Sequence, residues 1–223
     1  MSEPHAVGYR ALRGRVREIV ESAAPAAVEG PSPATPGWTV HDVLAHLVGV
    51  TDDVVHGRLD GIATDPWTAA QVESRRGVPA GEMLDEWDAH AEEFESMLGA
   101  VPMEIAGQAL FDAATHEHDI RCALRCPGAR DSDALALAWE WVVATRPTTG
   151  LPTMRFVTEV GEAVVGEGEP LATVEASRFE ILRASTGRRS ASEIEAYGWN
   201  PSAMPELLIL AGIFAMRPDP LDE

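Results

Sequence analysis

At 223 residues, 45% of them apolar, the chain is long enough for one large domain or two unequal ones around a sizeable core. A formal net charge of −19 repels phosphate backbones and anionic headgroups, which argues against nucleic acid and membrane partners. Every one of the 17 basic residues is Arg, so a Schiff-base lysine and a phosphate-cradling P-loop lysine are excluded as well.

The opening segment, MSEPHAVGYRALRG, has no apolar stretch of signal-peptide length, and a cytoplasmic protein with reduced Cys122 and Cys126 is the expectation. Residues 8–28 carry apolar positions at helical spacing, and the loop GPSPATPG follows them. Residues 39–59 predict a second long helix. Thr39 and Asp42 form a capping box at its start. Val43, Leu47, Val50 and Val54 make its inner stripe, with His46 beside them. A short helix is expected over 66–75 and a strongly amphipathic one over 80–99. Another long helix spans 104–124 and stops before Pro127-Gly128, and a last one spans 132–145 and ends near Pro147.

The period then changes. MRFVTEV, EAVVGEG and LATVEAS are short β-branched segments with Gly and Glu between them, the pattern of an antiparallel meander. FEILRASTGRRSASEIEAYGW returns to helical spacing. Leu207 to Met216 is the longest apolar run, too short to span a bilayer, and reads as a buried terminal element. The prediction is a helical part over residues 1–147 and a small α+β part over 148–223.

Asp112 and His116 are the residues with the clearest chemistry. Four positions apart, they differ by roughly 40° around a helix axis, so both project from one face. Ala109 and Ala113 leave room on that face, and Asp119 lies close enough to orient His116. His118, two residues on, points roughly the other way. Two imidazoles and one carboxylate with a position left open describe a catalytic divalent-metal site, and His46 is the available second imidazole. Against this stand a core histidine satisfied by its neighbours and an acidic helix face exposed to water. A zinc site drawing on Cys122 and Cys126 near His116 is a further arrangement of the same residues. Arg121 either points into such a site or pairs with a carboxylate. Gly187-Arg188-Arg189-Ser190 is a turn between two helices. Its adjacent guanidiniums either grip a substrate carboxylate or lie in water. There is no G-x-S-x-G and no dinucleotide glycine fingerprint.

The segment from Trp38 to Leu47, WTVHDVLAHL, resembles the W-x-x-x-D-x-x-x-H-L signature of the mycothiol-dependent maleylpyruvate isomerase family, within the DinB-like superfamily. Thr115-His116-Glu117-His118-Asp119-Ile120-Arg121, ending in Pro127-Gly128-Ala129-Arg130, looks like the second signature of that family. FEILRASTGRRS, from Phe179 to Ser190, resembles its sterol-carrier-like C-terminal region. The resemblance runs in order over most of the chain. It implies a DinB-like four-helix bundle followed by a small sterol-carrier-like α+β domain. It implies Zn²⁺, or another divalent metal, on His46, Asp112 and His116, with mycothiol as the thiol cosubstrate. The isomerase itself carries Glu where this chain has Asp112.

The function so implied is that of a metal- and thiol-dependent transferase or cis–trans isomerase acting on a small electrophile. Arg121, Arg188 and Arg189 are the expected catalytic cations, holding a substrate carboxylate and stabilising developing enolate charge. Two alternatives carry the same fold: a non-catalytic metal- or small-ligand-binding protein, and a metal-dependent hydrolase in which water takes the place of the thiol.

Overall fold

The computed structural model describes residues 3–210 and 214–223. The chain divides into two compact units, Met1–Gly128 with the terminal Glu223, and Ala129–Asp222.

The first unit is built on four long helices: α1 (Glu3–Ser22), α3 (Val40–Val55), α5 (Ala80–Ala100) and α6 (Met103–Ala123). Helices α1 and α3 each pack on both α5 and α6. The short α2 (Pro25–Val28) and the ten-residue α4 (Asp65–Ser74) complete the unit, with α4 lying against α3. The apolar run expected to be helical over 8–28 is interrupted at Ala24 because Pro25, which has no N–H to donate to a preceding turn, starts a new helix there. Leu12, Val16 and Val20 of α1 recur at helical spacing and are buried, as are Val43, Leu44 and Leu47 of α3. Between these helices Tyr9 packs on Phe94 and Trp87, with ring centroids 4.7 and 6.1 Å away. The Tyr9 hydroxyl lies 2.8 Å from Thr51 Oγ1, and the Trp87 indole N–H donates to both oxygens. Burial pushes the Tyr9 phenol up to about 12, so it is a neutral hydrogen-bonding group of the core.

The capping box at the start of α3 forms as the sequence predicts. Thr39 Oγ1 accepts from the Asp42 amide, and the Asp42 carboxylate accepts from the Thr39 amide. The Pro- and Gly-rich loop before it closes on itself through Ser32 N–H to Trp38 C=O and Val40 N–H to Gly30 C=O. Trp38 is thereby held immediately ahead of α3.

The second unit holds α7 (Asp133–Thr145), a four-stranded sheet, α8 (Arg178–Ser185) and α9 (Ala191–Glu195). Helix α7 belongs to this unit, although the change of sequence period suggested a boundary at residue 147. The period marks where strands begin, whereas α7 packs on α8 and on the sheet. The strands are β1 (Met154–Thr158), β2 (Gly161–Val165), β3 (Ala172–Glu175) and β4 (Gly198–Asn200), in the order β2-β1-β3-β4.

The expected meander is therefore corrected. β3 runs parallel to β1 on its far side, and only β1–β2 and β3–β4 are antiparallel. Burial explains the choice. β1 and β3 carry the buried Met154, Phe156, Ala172 and Val174, while β2 is mostly exposed and stays at the edge. Of the apolar terminal run, Leu207, Leu208, Ile209 and Leu210 are buried, and residues 211–213 lie outside the described residues. No described helix is long and apolar enough to cross a membrane.

Candidate metal centre

His46 lies in the middle of α3, and Asp112 and His116 lie one turn apart on α6, the helix that packs against it. Their ligand-type atoms come within 4.8 Å of one another. Asp112 Oδ2 is 3.5 Å from His46 Nε2, and Asp112 Oδ1 is 3.7 Å from His116 Nε2. The two imidazole centroids are 4.9 Å apart, with the rings nearly perpendicular. Donor atoms on a tetrahedral zinc stand roughly 3.3 Å apart, so the shorter Asp side chain still reaches between both rings.

The far nitrogens of the two rings are already engaged. His116 Nδ1 is 3.0 Å from Asp119 Oδ2, a fully buried carboxylate. His46 Nδ1 is 2.8 Å from Gln71 Oε1 on α4. A carboxylate and an amide oxygen only accept, so each Nδ1 carries a proton, and in the neutral ring Nε2 is the nitrogen with the lone pair. In the neutral rings both Nε2 lone pairs face the Asp112 carboxylate. That donor set fits a divalent cation.

The site is open on one side. The imidazole side chains of His46 and His116 are 6% and 11% exposed, but that of Asp112 is 37% exposed. Trp38 forms a wall. Its ring is stacked 6.2 Å from that of His116, at 15°, and meets the His46 ring edge-on at 5.7 Å.

The other sequence candidates are placed elsewhere. Arg121 is 9% exposed and lies against Glu117, to which its Nε and Nη2 donate at 3.0 and 2.9 Å, while Nη1 donates to the Cys126 carbonyl. Arg15 of α1 grips the same buried carboxylate from the other side. In the second unit, the turn at residues 187–190 is buried and not solvated. Arg189 makes a fork on Glu180, with distances of 2.6 and 3.0 Å. Arg188 donates to the Thr186 carbonyl and lies 5.8 Å from the centre of the Phe214 ring. Burial works to raise the Glu180 carboxyl, but the Arg189 fork and the Tyr197 hydroxyl outweigh it and hold Glu180 below its usual range. All three guanidiniums thus have internal partners that fasten the fold. Cys122 is buried and Cys126 exposed, and neither joins a metal-ligand cluster among the described residues. His118 is buried away from the cluster, as its helical phase requires.

Sequence reasoning missed Gln71, whose amide gives no signal of its own. It also missed a second grouping, Asp52, His56 and His90. There Asp52 Oδ1 is 2.9 Å from His56 Nδ1 and 3.6 Å from His90 Nε2. Its other oxygen takes Arg58 and Arg75. Although burial works to raise the Asp52 carboxyl, the two guanidiniums hold it below its usual range. Its charge is already compensated, and we read the group as an ion-pair network that ties the end of α3 to α4 and α5.

The sequence model of the mycothiol maleylpyruvate isomerase N-terminal domain matches residues 9–126. Two solved structures are similar over 92% of this chain and 95% of theirs. One is a histidine-to-alanine mutant of the mycothiol-dependent maleylpyruvate isomerase, with a TM-score of 0.63 at 11% identity. The other is the mycothiol-dependent maleylpyruvate isomerase, with a TM-score of 0.58 at 12% identity. At such identities the likeness is one of fold. No curated protein matches the chain. The family match takes in α3, α4, α5 and α6, and with them the whole His46–Asp112–His116 constellation, over more than half of the sequence. The chain belongs to the mycothiol maleylpyruvate isomerase family by its N-terminal domain.

Proposed function

We propose that the protein is a metal-dependent enzyme that uses a low-molecular-weight thiol, by family mycothiol, to act on a small electrophile as a transferase or cis–trans isomerase. The observation that carries this reading is the set of three convergent acceptors, the Nε2 atoms of His46 and His116 and the half-exposed carboxylate of Asp112. These residues would hold Zn²⁺ or a similar divalent cation. Such a cation lowers the pKa of a thiol and makes thiolate available at neutral pH.

The residues around it have separate tasks. Asp119 and Gln71 keep both ring protons on Nδ1. Trp38 offers an apolar wall that orients a small substrate and excludes water from one side. The open side at Asp112 admits thiol and electrophile. In isomerisation the thiolate adds to one carbon of an activated alkene, the resulting single bond rotates, and the same C–S bond breaks to return the thiolate. In transfer the new C–S bond persists and the carbanion or enolate takes up a proton. Neither course needs a nucleophile from the protein.

The test is a thiol-consumption and isomerisation assay on the full chain, with mycothiol and with zinc, each added and withheld. Turnover that requires both supports the proposal. Metal-dependent release of acid from an activated ester without thiol replaces it with metal-dependent hydrolysis. Stoichiometric zinc with no turnover on a panel of activated alkenes and alkylating electrophiles replaces it with a binding protein of the same fold.

A further inference from the structure

We infer that Gln71 is the positioning residue of the His46 imidazole, and that α4 is there to deliver it; this rests on the metal-centre reading above. One chain of hydrogen bonds fixes the amide by exclusion. Asp53 Oδ2 is 2.7 Å from Gln71 Nε2, and a carboxylate cannot donate, so the amide turns its NH₂ group to Asp53. The amide oxygen is then left for His46 Nδ1 at 2.8 Å, which must be the protonated nitrogen. Asp53 is itself held through its other oxygen by Arg58 Nε at 2.8 Å. Each link permits one orientation of the next, and in the neutral ring the last leaves the lone pair of His46 on the nitrogen that faces Asp112.

Two features show that this is built and not incidental. Gln71 is 2% exposed, the most enclosed residue of an otherwise largely exposed helix. It reaches His46 across Gly49, where a Cβ would lie 2.5 and 2.7 Å from Gln71 Cβ and Cγ. The mid-helix glycine of α3 is the gap through which the amide side chain passes. The choice of amide also sets charge. His116 leans on a carboxylate, but His46 leans on a neutral group. With Asp112 this puts two carboxylates, not three, around a dication, and leaves an anionic ligand less opposed.

The experiment uses the full chain with zinc as the probe. Gln71→Ala removes the link. The double variant Q71E/D53N transposes carboxylate and amide and keeps every hydrogen bond. The amide now at position 53 donates to the carboxylate now at position 71 and still accepts from Arg58, and that carboxylate accepts from His46. Zinc affinity is read by chelator competition, and the His46 tautomer by ¹⁵N shifts of its ring in the metal-free protein. Q71A should bind zinc about 10- to 100-fold more weakly and lose the pure Nδ1–H tautomer. The transposed variant should keep that tautomer and bind at least as tightly as the wild type. If Q71A binds within about threefold of wild type with its tautomer unchanged, the inference fails. It fails too if the transposed variant, folded by circular dichroism, does not recover the affinity. Should Q71A not fold, the transposed variant decides. If the wild type itself binds no zinc, the metal-centre reading is what falls, and the tautomer measurement alone decides the role of Gln71.

Discussion

Gly49→Ala puts a single methyl group into the narrowest passage of the site. An ordinary carbon–carbon contact is close to 4 Å, and the new Cβ would meet Gln71 Cβ at 2.5 Å and Cγ at 2.7 Å. It would also lie 3.0 Å from Arg75 Nη1. A Cβ contact cannot be relieved by turning a distant rotamer, so α4 must retreat by about 1 Å. A retreat of that size turns the 2.8 Å hydrogen bond from His46 to Gln71 into no hydrogen bond at all. Three terms set the stability change. Alanine favours the helix over glycine by about 1 kcal/mol, overpacking costs about 1–3 kcal/mol and the lost hydrogen bond costs about 1 kcal/mol, so the metal-free protein should lose no more than about 3 kcal/mol. Zinc affinity should fall by about tenfold or more, because a histidine ligand has lost its outer partner. Chelator competition with zinc and thermal unfolding of the metal-free chain separate the two. A G49A protein that binds zinc as the wild type does and melts higher, the behaviour of a glycine with open space above it, would refute this reasoning.

His46→Ala should remove one equivalent of zinc with far-ultraviolet dichroism unchanged; zinc retained in full would make this imidazole a core residue only. Glu117→Ala strips the buried carboxylate shared by Arg15 and Arg121 and leaves both guanidiniums uncompensated. It should cost about 3 kcal/mol in urea unfolding, and a loss below about 1 kcal/mol would contradict the pairing argument. In the second unit, Glu180 is held below its usual carboxylate range, so its contribution is present above that range and is lost as the pH falls through the folded-state value. Glu180→Gln should therefore lower stability at neutral pH and flatten its decline below about pH 4.5, followed by denaturant midpoints across an acid series. An acid limb as steep as the wild type's would assign that decline to other groups.

What could be read ahead of the structure depends on how far each contact reaches along the chain. Asp112, His116 and Asp119 share one helix, and the helical repeat alone places them together. The capping box that begins α3 is equally local, and so is the turn at Arg188-Arg189. A local view does not reach the partners that packing supplies. Two adjacent arginines in a turn read as ligands for a substrate or as solvated charges, but Glu180, nine residues before Arg189, takes the fork inside the fold. β-Branched composition identified β1, β2 and β3 but not their neighbours, because strand partners follow from which faces are buried, and β1 and β3 hold the buried faces. Gln71 was the hardest residue to see. It stands 25 positions from His46, and an amide is compatible with almost any environment. The available clue was Gly49. A glycine within a helix gives up about 1 kcal/mol, and Gly49 lies well inside α3, away from both of its caps at Thr39 and His56. A mid-helix glycine next to a histidine three residues earlier is thus a pointer to something passing close over that face. In this family member the thing that passes is the group that fixes which nitrogen of the histidine faces the site.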